Sequence, residues 1–331
     1  MPNPTRSDVH VNRPLTNIAL DFTQSQDKFV SSRIFPNVPV KNRSDSYFTI
    51  DRGDFNRNQA RLRAPGTESA GNGYDVSTAT YACDVVAFHK DVDDQIRANT
   101  DAPLMPDMSA TKLVTTQLLI YREKDWVTNY FAGGIWTIDY DGNSTGPTGA
   151  TNEVYYWSDY TNSDPIRDVR TVCTSVQEST GYRPNVMVVG RAVLDKLLDH
   201  PDVIDRVKYG QSSGNVAMAN KQILAQLFDV ERIEVMSSIE NTADEGQANS
   251  HSFIGGKKAL LVYAPDAPSI DTPSAGYTFS WTGYTGATQN GIRISKLRME
   301  HLKSDRVEGE IAFDHKLVSA DLGAFFDTVI A

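Results

Sequence analysis

The stretch from Tyr47 to Phe88 constrains this chain most, because it predicts two strands separated by a long polar tip. The tip, RGDFNRNQARLRAPGTESAGNG, is poor in large apolar side chains and cannot form a core of its own. A two-stranded ribbon is marginally stable in water. Ordering about forty residues also costs roughly 40–80 kcal/mol of backbone conformational entropy. The segment is therefore expected either to be a disordered insertion or to lie on another molecule.

The composition is that of a soluble globular protein, with 331 residues of which 40% are hydrophobic and 22% charged. No window approaches the roughly 18 to 20 apolar residues that a membrane span requires, and the first residues lack the apolar stretch of a signal peptide. The sequence thus predicts a protein made and used in the cytosol. Cys83 and Cys173 lie in apolar patterns far apart, which predicts two buried thiols rather than a disulfide.

Charge is distributed unevenly along the chain. Residues 1–63 carry a net charge of +4, whereas the remainder carries −14, within a total of −10. A basic leading arm and an acidic body are complementary, so charge is able to steer the arm of one copy toward the body of the next. The alternative is that the asymmetry is ordinary surface composition. The acidic body argues against tight binding of nucleic acid, whose affinity comes from contacts with phosphates.

The hydrophobic pattern predicts an α+β chain. A helix is predicted from about Ser109 to Phe131, and a second begins at the N-cap Asp164 and ends near Gly181. Residues 185–189 predict a buried strand, followed by short helices and further strands. Alternation over 307–317 predicts a strand with one buried and one solvated face.

No motif supports an enzyme, a cofactor or a metal. GQSSG at 210–214 matches the pattern of a serine nucleophile at Ser212, but that motif needs a preceding strand and the residues before it look helical. Asp139 and Asp141 have calcium-loop spacing, but the glycine and the final glutamate of such a loop are misplaced or missing. The histidines lack zinc-site spacing and are interpreted as surface residues. The sequence therefore favours a structural role.

Several short motifs follow one another at fixed spacing between Tyr156 and Gly210, and the run ILAQLFDVERI continues them at 223–233. They are a W-S-D segment, S-D-P-I, T-G-x-x-P-N and L-x-x-H-P. This arrangement resembles the major capsid proteins of tailed double-stranded DNA bacteriophages, which have the Hong Kong 97 type fold. The residues of this axial-domain signature are Trp157, Asp159, Asp164, Pro165, Gly181, Pro184, His200 and Pro201.

The resemblance implies a division of the chain into four parts. These are an N-terminal arm (1–46), an extended loop formed by a β-hairpin (47–89), a peripheral domain with a long spine helix (90–160 and 290–331) and an axial domain (161–289). It implies a virion protein that is assembled in the host cytoplasm into pentamers and hexamers of an icosahedral head. Such a head encloses DNA without sequence-specific binding and involves no membrane.

In such shells the extended loop lies across the adjacent subunit. The Tyr47–Phe88 stretch is therefore expected to be ordered by contact with a second copy. Intersubunit contacts are therefore expected from the loop residues Arg52, Asp54, Arg57, Arg61, Arg63 and Glu68. Their expected acidic partners on the neighbour are Asp91, Asp93, Asp94 and Asp101. Exposed ion pairs contribute little free energy individually, so these pairs are expected to orient the loop more than to stabilise it.

The chain departs from the founding member of the family, which joins its subunits by a Lys to Asn isopeptide bond. Between Lys41 and Lys90 there is no lysine, so we expect no cross-link, and stability from non-covalent contacts or from a decoration protein. No long charged helical segment precedes the arm. We therefore expect a separate scaffolding protein, and a portal protein as a further partner of the shell. The alternatives are an encapsulin-like compartment shell and a soluble serine hydrolase using Ser212.

Overall fold

The computed structural model describes residues 24–50, 53, 56–100, 104–147, 152–210, 220–269, 272–286 and 291–331. The helices are α1 (Ser31–Ile34), α2 (Asp94–Asn99), α3 (Pro106–Tyr130), α4 (Pro165–Thr180), α5 (Arg191–Leu198), α6 (Pro201–Gly210), α7 (Lys221–Phe228) and α8 (Thr282–Thr285). The strands are β1 (Asn37–Val40), β2 (Ser44–Ile50), β3 (Val76–Ala82), β4 (Asp84–Asp93), β5 (Ile138–Asn143), β6 (Glu153–Tyr155), β7 (Val186–Gly190), β8 (Arg232–Met236), β9 (Ile239–Asn241), β10 (His251–Phe253), β11 (Ala259–Val262), β12 (Gly276–Trp281), β13 (Ile292–Met299), β14 (Ser304–Leu317) and β15 (Gly323–Asp327). These elements make the α+β chain that the sequence predicts.

Strand β14 is the centre of a five-stranded sheet. It pairs antiparallel with β4 on one side and with β13 and β12 on the other, while β1 adds in parallel beyond β12. The predicted alternation is confirmed, because Val307, Ile311 and His315 are buried while Glu308 and Glu310 are half-buried.

The predicted spine helix is confirmed as α3, which has 25 residues and is about 37 Å long at the usual rise of 1.5 Å per residue. Its first half packs on the inner face of the five-stranded sheet, where Val114 and Leu118 contact Ile311 and Phe313. A Cβ atom on Gly309 would lie 2.5 Å from Val114 Cγ1. The glycine therefore allows the helix to approach the strand this closely.

A six-stranded sheet has the order β6-β5-β15-β11-β7-β8 and is covered on both faces. Met187 and Val189 of β7 face one core, which also contains apolar residues of α4 to α7. Val186 and Val188 face the opposite core, with the second half of α3 and residues 30–35. The strand is therefore buried on both sides, as its continuous apolar run predicts.

The sheets join segments that the sequence division separates. Strands β5, β6 and β15 fall in the ranges assigned to the peripheral domain, yet they pair into the sheet that contains β7, β8 and β11. Strand β12 falls in the axial range but pairs with β14. Pairing is set by contacts between distant segments, such as Ala324 opposite both Ile138 and Leu261. The four-part division itself stays a prediction.

Candidate assembly surfaces

The predicted ribbon is present as β2 and β3, paired antiparallel from Ser44 opposite Ala82 to Ile50 opposite Val76. Its base is anchored to the body by aromatic contacts. The Tyr81 ring stacks on Phe279 with centroids 4.4 Å apart, and the Tyr47 ring lies 5.5 Å from the same phenylalanine. The direction in which the ribbon leaves the body is therefore fixed by packed side chains.

Beyond this base the ribbon exposes apolar side chains. Phe48 is 78% exposed and Val76 is 51% exposed on the same face of the ribbon, and Leu62 in the tip is fully exposed. Within 56–75 every residue is exposed except the half-buried Gln59. Because Phe48 and Val76 share one exposed face, that face of the ribbon is a candidate surface for contact with another molecule.

The predicted contact residues of the tip are also exposed where they are described. Arg57, Arg61, Arg63 and Glu68 all face solvent, and none of the three arginines forms an ion pair within the described part of the chain. Arg63 donates from Nε to the Thr67 carbonyl. Arg52 and Asp54 lie outside the described residues.

The predicted acidic partners already have partners in their own chain. Asp91 accepts two hydrogen bonds from Arg306, at 2.8 and 3.0 Å, and this arginine lowers the pKa of Asp91. Asp94 accepts two hydrogen bonds from Arg298, at 2.7 and 2.6 Å, and this arginine lowers the pKa of Asp94. Asp93 accepts from the Gln95 amide at the start of α2. Asp101 lies outside the described residues, and the intersubunit pairing stays a prediction.

The axial-domain signature builds the core around α4. Asp164 accepts a hydrogen bond from the Arg167 amide at 3.0 Å, Pro165 occupies the first turn, and Gly181 ends the helix at a φ of 81°. This confirms the predicted helix and its caps. Trp157 is fully buried against Phe326, with ring centroids 5.2 Å apart.

The other signature residues complete the turns around this core. Pro184 is buried just before β7, and Pro201 occupies the first position of α6. Asp159 accepts at Oδ1 from the Thr161 amide and at Oδ2 from the Asn162 side chain. The signature therefore consists of caps, turns and core side chains rather than of exposed contact residues.

The interpretation of the histidines as surface residues is wrong for His200 and His315, which are both buried. His200 Nδ1 accepts from the Asp202 amide at 3.2 Å, so its proton resides on Nε2, which contacts Ser163 Oγ at 3.0 Å. Burial lowers the pKa of His200. This neutral tautomer satisfies both ring nitrogens and links the turn before α4 to the start of α6.

Sequence analysis also missed the buried pair Arg122 and Glu123 in α3. The helical pattern of the sequence does indicate that Glu123 is buried. Glu123 follows Leu119 by four residues and precedes Trp126 by three, which places it on the apolar face of the helix. A charged residue at that position indicates a specific partner inside the protein.

Asp168 is a titrating group in the core around α4. The indole Nε1 of Trp157 donates to its Oδ2 at 3.2 Å, and burial raises the pKa of Asp168 from 3.8 to about 6. The folded protein thus binds this proton more tightly than the unfolded chain does. The resulting stabilisation is complete below about pH 3.8 and is lost as the pH rises through about 6.

We expect Asp168→Asn to stabilise the free chain by ~1–3 kcal/mol above pH 7, with the two proteins converging toward pH 4. Urea denaturation at several pH values measures this. The exposed Asp205→Asn on α6 is the matched control and should leave the pH profile unchanged. The same pH dependence in Asp168→Asn and in the natural sequence would contradict this assignment.

No group of three or more potential ligands that could hold a metal ion occurs among the described residues. No helix within those ranges has the length and apolar character of a membrane span. Ser212 lies outside the described residues.

Both Cys83 and Cys173 are buried free thiols, which confirms the prediction that they do not form a disulfide.

Comparison with known proteins gives consistent matches. The family model described as "Phage major capsid protein E" matches residues 155–272. A major capsid protein of Burkholderia phage BcepMu is 24% identical, over 95% of this chain and 94% of its own length. A major capsid protein of Pseudomonas phage JBD67 is 25% identical, over 97% of both chains.

Solved structures share the fold. The capsid structure of cyanophage P-SCSP1u aligns with a TM-score of 0.60 at 10% identity, covering 97% of this chain and 93% of that one. The holo-SrpI encapsulin complex from Synechococcus elongatus aligns with a TM-score of 0.54 at 11% identity, covering 96% and 94%. The predicted resemblance and fold class are confirmed.

Proposed function

We propose that this major capsid protein of the tailed-phage type assembles into hexamers and pentamers that form the icosahedral head around double-stranded DNA. Its role is structural. The observation that carries the proposal is the ribbon, which is anchored at its base and leaves Phe48, Val76 and Leu62 exposed.

A second copy supplies the surface that the ribbon lacks. Burial of the exposed apolar side chains against that surface removes them from water, which offsets conformational entropy lost by ordering the segment. The arginines at 57, 61 and 63 would orient the docked tip, since exposed ion pairs add little free energy.

The phage head is favoured over the encapsulin alternative by sequence. The encapsulin match shows the fold alone, at 11% identity, whereas both sequence relatives are phage major capsid proteins matched over nearly their full length. The proposal includes a separate scaffolding protein, a portal and assembly in the host cytoplasm. Stability without a cross-link would come from non-covalent contacts or from a decoration protein.

Electron microscopy of the purified, overexpressed chain tests this function. Closed shells, tubes or capsomer rings are expected. Peptides that co-purify inside closed shells, with no nucleic acid, would favour the encapsulin alternative. A monodisperse monomer that a fluorophosphonate labels at Ser212 would overturn the structural role and support a hydrolase.

A further inference from the structure

The Glu123 carboxylate is fully buried in the middle of α3 and faces residues at the end of the N-terminal arm. It accepts a hydrogen bond from the Ser31 amide at 2.8 Å and from the Val30 amide at 3.1 Å to each oxygen. A third contact reaches it from Ser238 Oγ, in the connection between β8 and β9, at 3.4 Å. One carboxylate thus connects three separate parts of the chain, namely α3 itself, residues 30–31 and the β8–β9 connection.

These three parts belong to different layers of the fold. Val30 starts the segment that completes the core between α3 and the six-stranded sheet. Ser238 follows β8, the edge strand of that sheet. The same β8–β9 region also holds the arm through Gln24, whose side chain donates to the Ile239 carbonyl at 2.7 Å and accepts from the Ile239 amide at 2.9 Å. The arm is therefore fixed twice by polar groups.

A buried carboxylate is costly unless it is paired and hydrogen-bonded. Burial raises the pKa of Glu123, and the amides of Ser31 and Val30 together with the charge of Arg122 act in the opposite direction. Two charged residues close in sequence to Glu123 and Ser31 form ion pairs elsewhere, Lys124 with Glu240 and Arg33 with Glu234. The backbone of the arm is therefore the main source of hydrogen bonds for this carboxylate.

The arm also has apolar anchors that do not depend on Glu123. Ile34 is fully buried, and the Phe35 ring lies 5.7 Å from Trp126 and 5.4 Å from Tyr130. These contacts hold the chain from Ile34 onward. The residues between Gln24 and Ser31 have four exposed positions at 25–28, followed by the buried Phe29 and Val30.

We propose that Glu123 is a positioning residue for assembly, which fixes residues 24–31 of the N-terminal arm against the spine helix and the β8–β9 connection. This part of the arm then occupies the same place on the body of every subunit. This inference rests on the proposed function, because the arm matters for contacts between copies.

Hydrogen exchange on the unassembled chain tests the local part of this inference. Glu123→Gln removes the negative charge and one of the two acceptor oxygens, so the Val30 and Ser31 amides are left with a single, weaker acceptor, and we expect protection of a peptide covering 25–33 to fall ~10- to 100-fold. Peptides from α4 and the first half of α3 should be unchanged. The exposed Glu178→Gln on α4 is the matched control and should change neither region.

Glu123→Leu is a second variant, which removes both oxygens and leaves no buried carboxyl, so the Val30 and Ser31 amides lose their acceptor completely. Loss of protection confined to the arm supports the inference. Unchanged exchange in the arm, or an equal loss over the whole chain, would overturn it, since the latter indicates a general contribution to stability.

Assembly provides the second readout. Particles of the Glu123→Gln variant should have a broader distribution of diameters than those of the natural sequence. Uniform particles from a variant with a loosened arm would overturn the role of Glu123 in assembly. Absence of any particles from the natural sequence would instead overturn the proposed function, so the two failures are distinguishable.

Discussion

Deletion of residues 54–72 is expected to abolish shell assembly and to leave the body of the protein folded. The described part of this segment is exposed almost throughout, so its removal takes away little buried surface. The ribbon can still close, because Ile50 lies opposite Val76 and six residues remain between them after the deletion. Hairpin loops of this length are sterically feasible.

Electron microscopy and analytical ultracentrifugation measure the loss of particles, and thermal unfolding should shift by no more than about 2 °C. A matched control replaces the same residues with a Gly/Ser segment of equal length. This control should also fail to assemble, since the exposed Leu62 and the arginines are absent. Normal shells from the deletion would refute the role assigned to the ribbon.

Trp157→Ala is expected to destabilise the folded subunit itself, unlike the deletion of residues 54–72. Trp157 is fully buried against Phe326, its amide donates to the Val329 carbonyl at 2.7 Å, and its indole donates to Asp168. Truncation leaves a large cavity and removes the indole donor from the half-buried Asp168 carboxylate. The free energy of unfolding should fall by ~3–5 kcal/mol.

Urea denaturation of the free chain measures this change. Tyr121→Ala on α3 is the control, because Tyr121 is 48% exposed and its truncation should cost less than about 1 kcal/mol. An unchanged unfolding midpoint for Trp157→Ala would contradict the view that the signature builds the core. Together with the deletion, this variant separates residues that fold the subunit from residues that assemble it.

Much of the local structure could be predicted because its causes lie within a few residues. Asp164, Pro165 and Gly181 specify the ends of α4 by hydrogen bonding and backbone conformation at those positions. Alternation along 307–317 specifies the two faces of β14 for the same reason. The exposed tip was predictable as well, from its lack of large apolar residues.

The acidic contact residues were harder to predict, because carboxylates look alike in sequence. Asp91 and Asp94 lie beside Arg306 and Arg298, more than 200 residues away along the chain. No pattern of local spacing indicates such a pairing. Whether these side chains also meet a neighbour's arginines stays a prediction.

By itself the sequence determined the helices α3 and α4, the strands β7 and β14, the ribbon with its polar tip and the resemblance that led to the capsid fold. Each depends on periodicity, caps or motif spacing, which are properties of neighbouring residues. The tertiary structure alone decided which strands share a sheet, how the ring nitrogens of His200 are hydrogen-bonded and which backbone amides donate to Glu123. Those outcomes depend on segments that are distant in sequence and meet only when the core closes around them.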